Sequence, residues 1–261
     1  MPRNTSKASK ASGSSKGDRG DANWGFRLAR ELEARSGRGR HRVMKVKICC
    51  ISSVAEAQLA IRYGAHAVGL VSEMPMGVGV IPDDLICEIA KAIPSGIRSF
   101  LLTSRRDPDL IVAQQRQTGV DTIQLVDRVD ASDLRRLRGS LPGVSLVQVI
   151  HVTGASAIAD AVSVAPLVDA ILLDSGTPDG AVRELGGTGR VHDWEVSARI
   201  VVELDCPVFL AGGLRPDNVA RAIQQVRPFG VDVCSGLRPA GFLDEQLLAS
   251  FLEAIRRVAV A

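Results

Sequence analysis

The chain has 261 residues, 46% hydrophobic and 23% charged, enough for one large α/β domain or two small ones. Its five cysteines (49, 50, 87, 206 and 234) are odd in number and unpatterned, which argues against a disulfide framework or a zinc-ligand spacing and for a reducing, cytoplasmic setting. No apolar run approaches the roughly 18 residues of a membrane span, and no segment has the form of a secretory signal.

The net charge of +3 conceals an asymmetry. Residues 1–43 carry 11 Lys/Arg against 4 Asp/Glu, or +7, which leaves −4 for residues 44–261. The first twenty residues are rich in Ser, Lys and Gly with almost nothing apolar, so they cannot offset their own ordering entropy and read as a disordered extension. Within it, 24–36 (WGFRLARELEARS) has the periodicity of a short helix. No interleaved aromatics or binding motif accompany the positive charge, so nucleic acid is not the expected partner.

From Met44 onward, β-branched runs alternate with amphipathic stretches. KVKICC precedes VAEAQLAIRYG, AVGLV precedes PDDLICEIAKAI, IRSFLL precedes PDLIVAQQRQTG, and TIQLV precedes ASDLRRLRGSL. The pattern continues through SLVQVI, AILLD, VFLAGG and GVDVCSG, each with its own helical partner, to give eight units over 44–261. Wholly apolar strands separated by helices belong to a parallel sheet covered by helices, and eight units fit a closed (β/α)8 barrel. An open doubly wound sheet is the alternative, and it lacks the Gly-x-Gly-x-x-Gly turn after its first strand.

Reactive groups in such barrels stand at the carboxyl ends of the strands. Alternation along the first strand puts Lys45, Lys47 and Cys49 on the interior side and Val46, Ile48 and Cys50 on the other. An ammonium beside the Cys49 thiol is expected to lower its pKa towards neutrality and make a thiolate base available; the alternative is that both cysteines are small buried hydrophobes. Asp174, ending AILLD, projects at the rim after apolar residues, where desolvation would suit it to general-acid work; a loop or helix cap is its other reading. Asp169, at the opposite end of that strand, reads as a turn residue.

Glycine turns follow the last three strands: ELGGTGRVHDW, LAGGLRPDN and DVCSGLRP. Backbone amides in such turns can surround a phosphate, and the loops after strands seven and eight are the usual place for one in this fold. The glycines can also simply permit tight strand-to-helix turns.

Taken in order, KICC, GLV, IQLV, AILLDS, GGTGRVHDW, FLAGGLRPDNV and PFGVDVCSGL resemble the phosphoribosylanthranilate isomerase family, barrels of tryptophan biosynthesis, over about residues 44–258. The resemblance implies Cys49 as general base, Asp174 as general acid, and a substrate phosphate against Gly187, Thr188, Gly189, Gly212, Gly213, Ser235 and Gly236. It implies an Amadori rearrangement of a small phosphorylated sugar, with no cofactor or metal, in a monomer or homodimer. Lys47, Gln124, Asp232, Arg105 and Arg106 are further candidate substrate contacts.

Three positions depart from the family pattern. The family's Lys-Ser-Pro-Arg after strand two is replaced by SEMPMGVGVIP, with Val78 where the carboxylate-binding arginine would stand; Val126 takes a histidine position, and Cys50 follows the base in place of glycine. Losing a charge-assisted partner would weaken carboxylate binding by roughly 1.5 to 3 kcal/mol. Arg105 and Arg106, on the next loop, can supply the missing cation, or residues 73–82 can form an apolar lid over an uncharged group. The alternative functions are therefore a sugar-phosphate isomerase acting on another aminoaldose phosphate, or a phosphate-binding barrel without catalysis.

Overall fold

The computed structural model describes residues 43–75, 78–176 and 191–260. Most of the N-terminal extension and its expected helix at 24–36 fall outside that range. Eight strands form one closed barrel in sequence order: β1 (Lys45–Ile48), β2 (Ala67–Val71), β3 (Arg98–Thr103), β4 (Thr122–Leu125), β5 (Ser145–His151), β6 (Ala170–Asp174), β7 (Val208–Leu210) and β8 (Gly230–Val233). Every pairing is parallel, and β1 closes on β8 with Lys47 opposite Asp232. The expected (β/α)8 barrel is what the chain forms.

The helices between and after these strands are α1 (Val54–Tyr63), α2 (Asp83–Ala92), α3 (Pro108–Thr118), α4 (Ala131–Ser140), α5 (Ser156–Val164), α6 (Trp194–Glu203), α7 (Val219–Val226) and α8 (Glu245–Val260). Local chemistry sets their starts. Asp107 caps α3 ahead of Pro108, and Asp193 accepts from the Glu195 and Val196 amides to open α6. At α1 a reciprocal box forms: Ser53 Oγ accepts from the Glu56 amide at 3.1 Å while Glu56 Oε2 accepts from the Ser52 amide at 3.0 Å.

Strand alternation divides the apolar residues into two layers. Val46, Ile48, Val68, Leu70, Ile123, Leu125, Ile171 and Leu173 pack outward beneath the helices. Ala67, Phe100, Val147, Val149, Ala170, Leu172 and Phe209 fill the barrel interior with Cys49. Phe209 meets Phe100 and Phe229 edge to face, with ring centroids 6.2 and 5.4 Å apart. This plug closes the barrel below its carboxyl-end mouth.

Candidate active site

Side chains from β1 and β8 make the floor of the mouth. Lys47 is fully buried, its Nζ 2.7 Å from Asp232 Oδ2 and 5.3 Å from the centroid of the Phe100 ring. Asp232 Oδ1 is buried and has no hydrogen-bond partner among the described residues. Burial opposes the lysine charge, but Asp232 and Cys49 outweigh it and hold the ammonium above its usual range. Burial raises the Asp232 carboxyl, with Lys47 pulling the other way.

Cys49 follows β1 and joins the interior cluster, on the side that alternation assigns to it. A Cβ on Gly69 of β2 would lie 2.7 Å from Cys49 Sγ and 2.9 Å from Lys47 Nζ. Thiol and ammonium therefore meet in a space that exists because residue 69 has no side chain. The expected lowering of the thiol pKa is corrected here: burial pushes it up to about 11, and Lys47, which draws it down, does not overcome that. Without substrate, the sulfur carries its proton.

Asp174 ends β6 and is half-buried, opposite His151 of β5. Burial raises its carboxyl; the Ser175 amide, donating to Oδ1 at 2.7 Å, and His151 lower it, while Asp232 raises it further. Asp174 and Cys49 both feel Lys47 and Asp232, so the two stand in one mouth. His151 Nε2 lies 3.1 Å from the Val126 carbonyl, which can only accept, so this nitrogen is the donor. Gln124 points into the barrel with Oε1 unpartnered among the described residues.

The phosphate candidates fall in two groups. Gly187, Thr188 and Gly189 lie outside the described residues. Gly212 and Gly213, with φ of 80° and 61°, turn the chain after β7, and Asn218 Nδ2 holds the Gly213 carbonyl at 2.9 Å. Ser235 and Gly236 open a 3-10 turn after β8, where a Cβ at Gly236 would collide with the Leu214 carbonyl oxygen. The two loops thus touch backbone to backbone, with the exposed Ser235 at the surface. Among the described residues the Gly213 and Ser235 amides have no backbone acceptor, which suits them to an anion.

Two further expectations about the cysteines change. Cys50 and Cys234 form a disulfide, so the chain does contain a cross-link, between residues 184 positions apart. Cys50 also does not continue the outward face of β1: its φ of 61° turns it into the interior cluster. The loop after β2 lies over it, since a Cβ at Gly79 would come within 2.7 Å of Cys50 Cβ. Met74 packs against the interior cluster and Val78 is 54% exposed. Arg105 is half-buried with no ion pair among the described residues, while exposed Arg106 donates from Nε to the Arg128 carbonyl at 3.1 Å. Asp169 receives the Leu146 amide and Arg138 at the far end of β6, as a structural residue should.

Three residues at the site escape the sequence reading: Gly69, His151 and His192, whose Nδ1 lies 2.9 Å from where a Gly212 Cβ would stand. Gly69 had a signal, a glycine inside a strand, which marks close approach.

A buried lysine–carboxylate floor, an interior thiol, a rim carboxyl and glycine turns after β7 and β8 stand together at the carboxyl-end mouth of a (β/α)8 barrel. The family described as N-(5'-phosphoribosyl)anthranilate (PRA) isomerase matches residues 87–254. N-(5'-phosphoribosyl)anthranilate isomerase 2 of Methanosarcina mazei is 37% identical over 211 residues, 80% of this chain and 92% of its own length. The solved phosphoribosyl anthranilate isomerase of Thermococcus kodakaraensis is 31% identical with a TM-score of 0.68, over 82% of this chain and 99% of its own. A phosphoribosyl anthranilate isomerase crystallised with reduced 1-(o-carboxyphenylamino)-1-deoxyribulose 5-phosphate, 23% identical, shares the fold with a TM-score of 0.70, over 82% of this chain and 100% of its own. The chain belongs to the phosphoribosylanthranilate isomerase family, aldose–ketose isomerases of tryptophan biosynthesis.

Proposed function

We propose that the chain rearranges N-(5-phosphoribosyl)anthranilate to its 1-deoxyribulose 5-phosphate isomer with Cys49 as base and Asp174 as acid. The observation that carries this is the shared Lys47–Asp232 pair, whose charges act on the thiol and the rim carboxyl alike. Burial pushes the thiol up to about 11, so the resting arrangement of the pair keeps a proton on sulfur. The reactive arrangement is its tautomer, thiolate and carboxylic acid. Asp174 protonates the ribose ring oxygen and the ring opens to an iminium, whose positive charge then favours the nearby thiolate. Cys49 removes the C2 proton, and the enolamine relaxes to the ketose. With Asp174 having given one proton and Cys49 having gained one, the proton again sits on sulfur.

The phosphate is assigned to the turns at Gly212–Gly213 and Ser235–Gly236, completed by Gly187, Thr188 and Gly189. With Val78 in the arginine's place, Arg105 is assigned the anthranilate carboxylate, supported by its half-buried position and lack of an ion pair among the described residues. Gln124 Oε1 and Asp232 Oδ1 are acceptors suited to the sugar hydroxyls. Among the described residues no helix is long and apolar enough to cross a membrane, and the reaction is assigned to the cytoplasm.

Growth of a host lacking this isomerase on medium without tryptophan tests the assignment. Rescue by the parent and by neither Cys49→Ser nor Asp174→Asn supports it; rescue by either variant overturns the role of that residue.

A further inference from the structure

The Cys50–Cys234 disulfide joins two functional points. Cys50 directly follows the proposed base, and Cys234 directly precedes Ser235 of the phosphate turn. Each backbone is unusual: Cys50 has a φ of 61°, which a Cβ disfavours, and Cys234 has φ −125° and ψ −87°. A side chain occupies this left-handed position and is tied across the β1–β8 seam. Cys50 is 5% exposed and lies under Gly79, but Cys234 is half-buried beside exposed Ser235. The bond can therefore be approached from the Cys234 side.

We propose that Cys50–Cys234 is a redox modification site, opened by a dithiol reductant, whose oxidised form holds the base and the phosphate turn in their working arrangement. One thiolate of the dithiol attacks Sγ of Cys234, and Cys50 leaves as thiolate. The second thiol attacks the mixed disulfide, releasing Cys234 and leaving the reductant as a cyclic disulfide: two electrons pass to the protein and two thiols result. Once opened, residue 50 is free to leave the left-handed region, and Cys49 and Ser235 lose their shared tether.

The test is made on the full chain, equilibrated with dithiothreitol or its oxidised form. Alkylation and mass measurement count thiols, and steady-state kinetics are read at each poise. The expected result is a gain of two alkylatable thiols, at Cys50 and Cys234, with a fall in kcat/KM of about threefold or more through a raised KM, reversed on reoxidation. Cys50→Gly, which accepts the backbone angle, is expected to show no response to the dithiol, as is Cys234→Ser. Four results would each overturn the proposal: thiols already free in oxidised protein, a disulfide that does not open in native protein, opening without change in kinetics, or a response that persists in either variant. Thermal melting of the parent at both poises keeps the question decidable should a variant not fold.

Discussion

Lys47 and Asp232 face each other across the seam where β1 closes on β8, Nζ to Oδ2 at 2.7 Å, with neither side chain appreciably open to water. Removing one partner from such a pair leaves an uncompensated buried charge, at a cost of about 3–5 kcal/mol. Lys47→Met is therefore expected to lower unfolding stability by about that much in urea melts. The double variant Lys47→Met/Asp232→Leu should regain part of the loss yet remain inactive. Restored activity in the double variant would show that the pair serves packing alone.

Gly69 sets the space in which thiol and ammonium meet. Gly69→Ala places a Cβ within 3 Å of both Cys49 Sγ and Lys47 Nζ, so one or both must move. Displacements of this size in a proton-transfer site reduce turnover by about ten- to a hundredfold. Steady-state kinetics should show kcat falling while KM stays within about twofold, and an unchanged kcat would mean that the gap is not used.

The pH dependence follows from the ionisation of the pair. The thiol is pushed up to about 11 and burial raises Asp174 as well, so the alkaline ionisation of the pair lies no lower than the thiol's. Between the two ionisations of the pair the fraction in the reactive tautomer is constant. Corrected for the substrate phosphate, which titrates at about pH 6, kcat/KM should fall on the acid side, where both groups are protonated, and show no alkaline decline up to about pH 9. A decline setting in between pH 7 and 8 would show a thiol of ordinary or lowered pKa.

For the anthranilate carboxylate, Arg105→Ala should raise KM about tenfold or more with kcat little changed, the loss of a charge-assisted bond. Arg106→Ala should leave both constants within about twofold, since its guanidinium is exposed and donates to a carbonyl on the next loop. An Arg105→Ala enzyme with parental KM would leave the carboxylate partner elsewhere.

Glu56 accepts from Arg238 at 3.0 Å through both oxygens, and from the Ser52 and Leu243 amides. Burial works against its ionised form, but these bonds prevail and hold the carboxyl below its usual range. A depressed folded value means stability that is present above the unfolded value of about 4.3 and lost as pH falls through the folded one. The urea midpoint of the parent should drop from pH 5 to pH 3 more steeply than that of Glu56→Gln; equal slopes would remove Glu56 from the acid transition.

Much of this was legible from residue order. Alternation along KVKICC assigns Lys47 and Cys49 to the interior, and AILLD ends on the half-buried Asp174. Asp232 is recognisable as a candidate but not as the partner of Lys47, because the 185 positions between them are bridged only when the barrel closes. The disulfide was hidden for the same reason. The thiol pKa was misjudged differently: sequence displays the neighbouring ammonium but not the depth of burial, and burial is the stronger influence. Cys50 left its expected face because one left-handed residue ends the two-residue period.

The chain enters β1 at Lys45, on the rim opposite Cys49 and Asp174. A support or fusion attached just ahead of Val43 would thus be joined to the underside of the barrel, and the enzyme could be displayed on a solid phase with its opening turned toward the bulk solution.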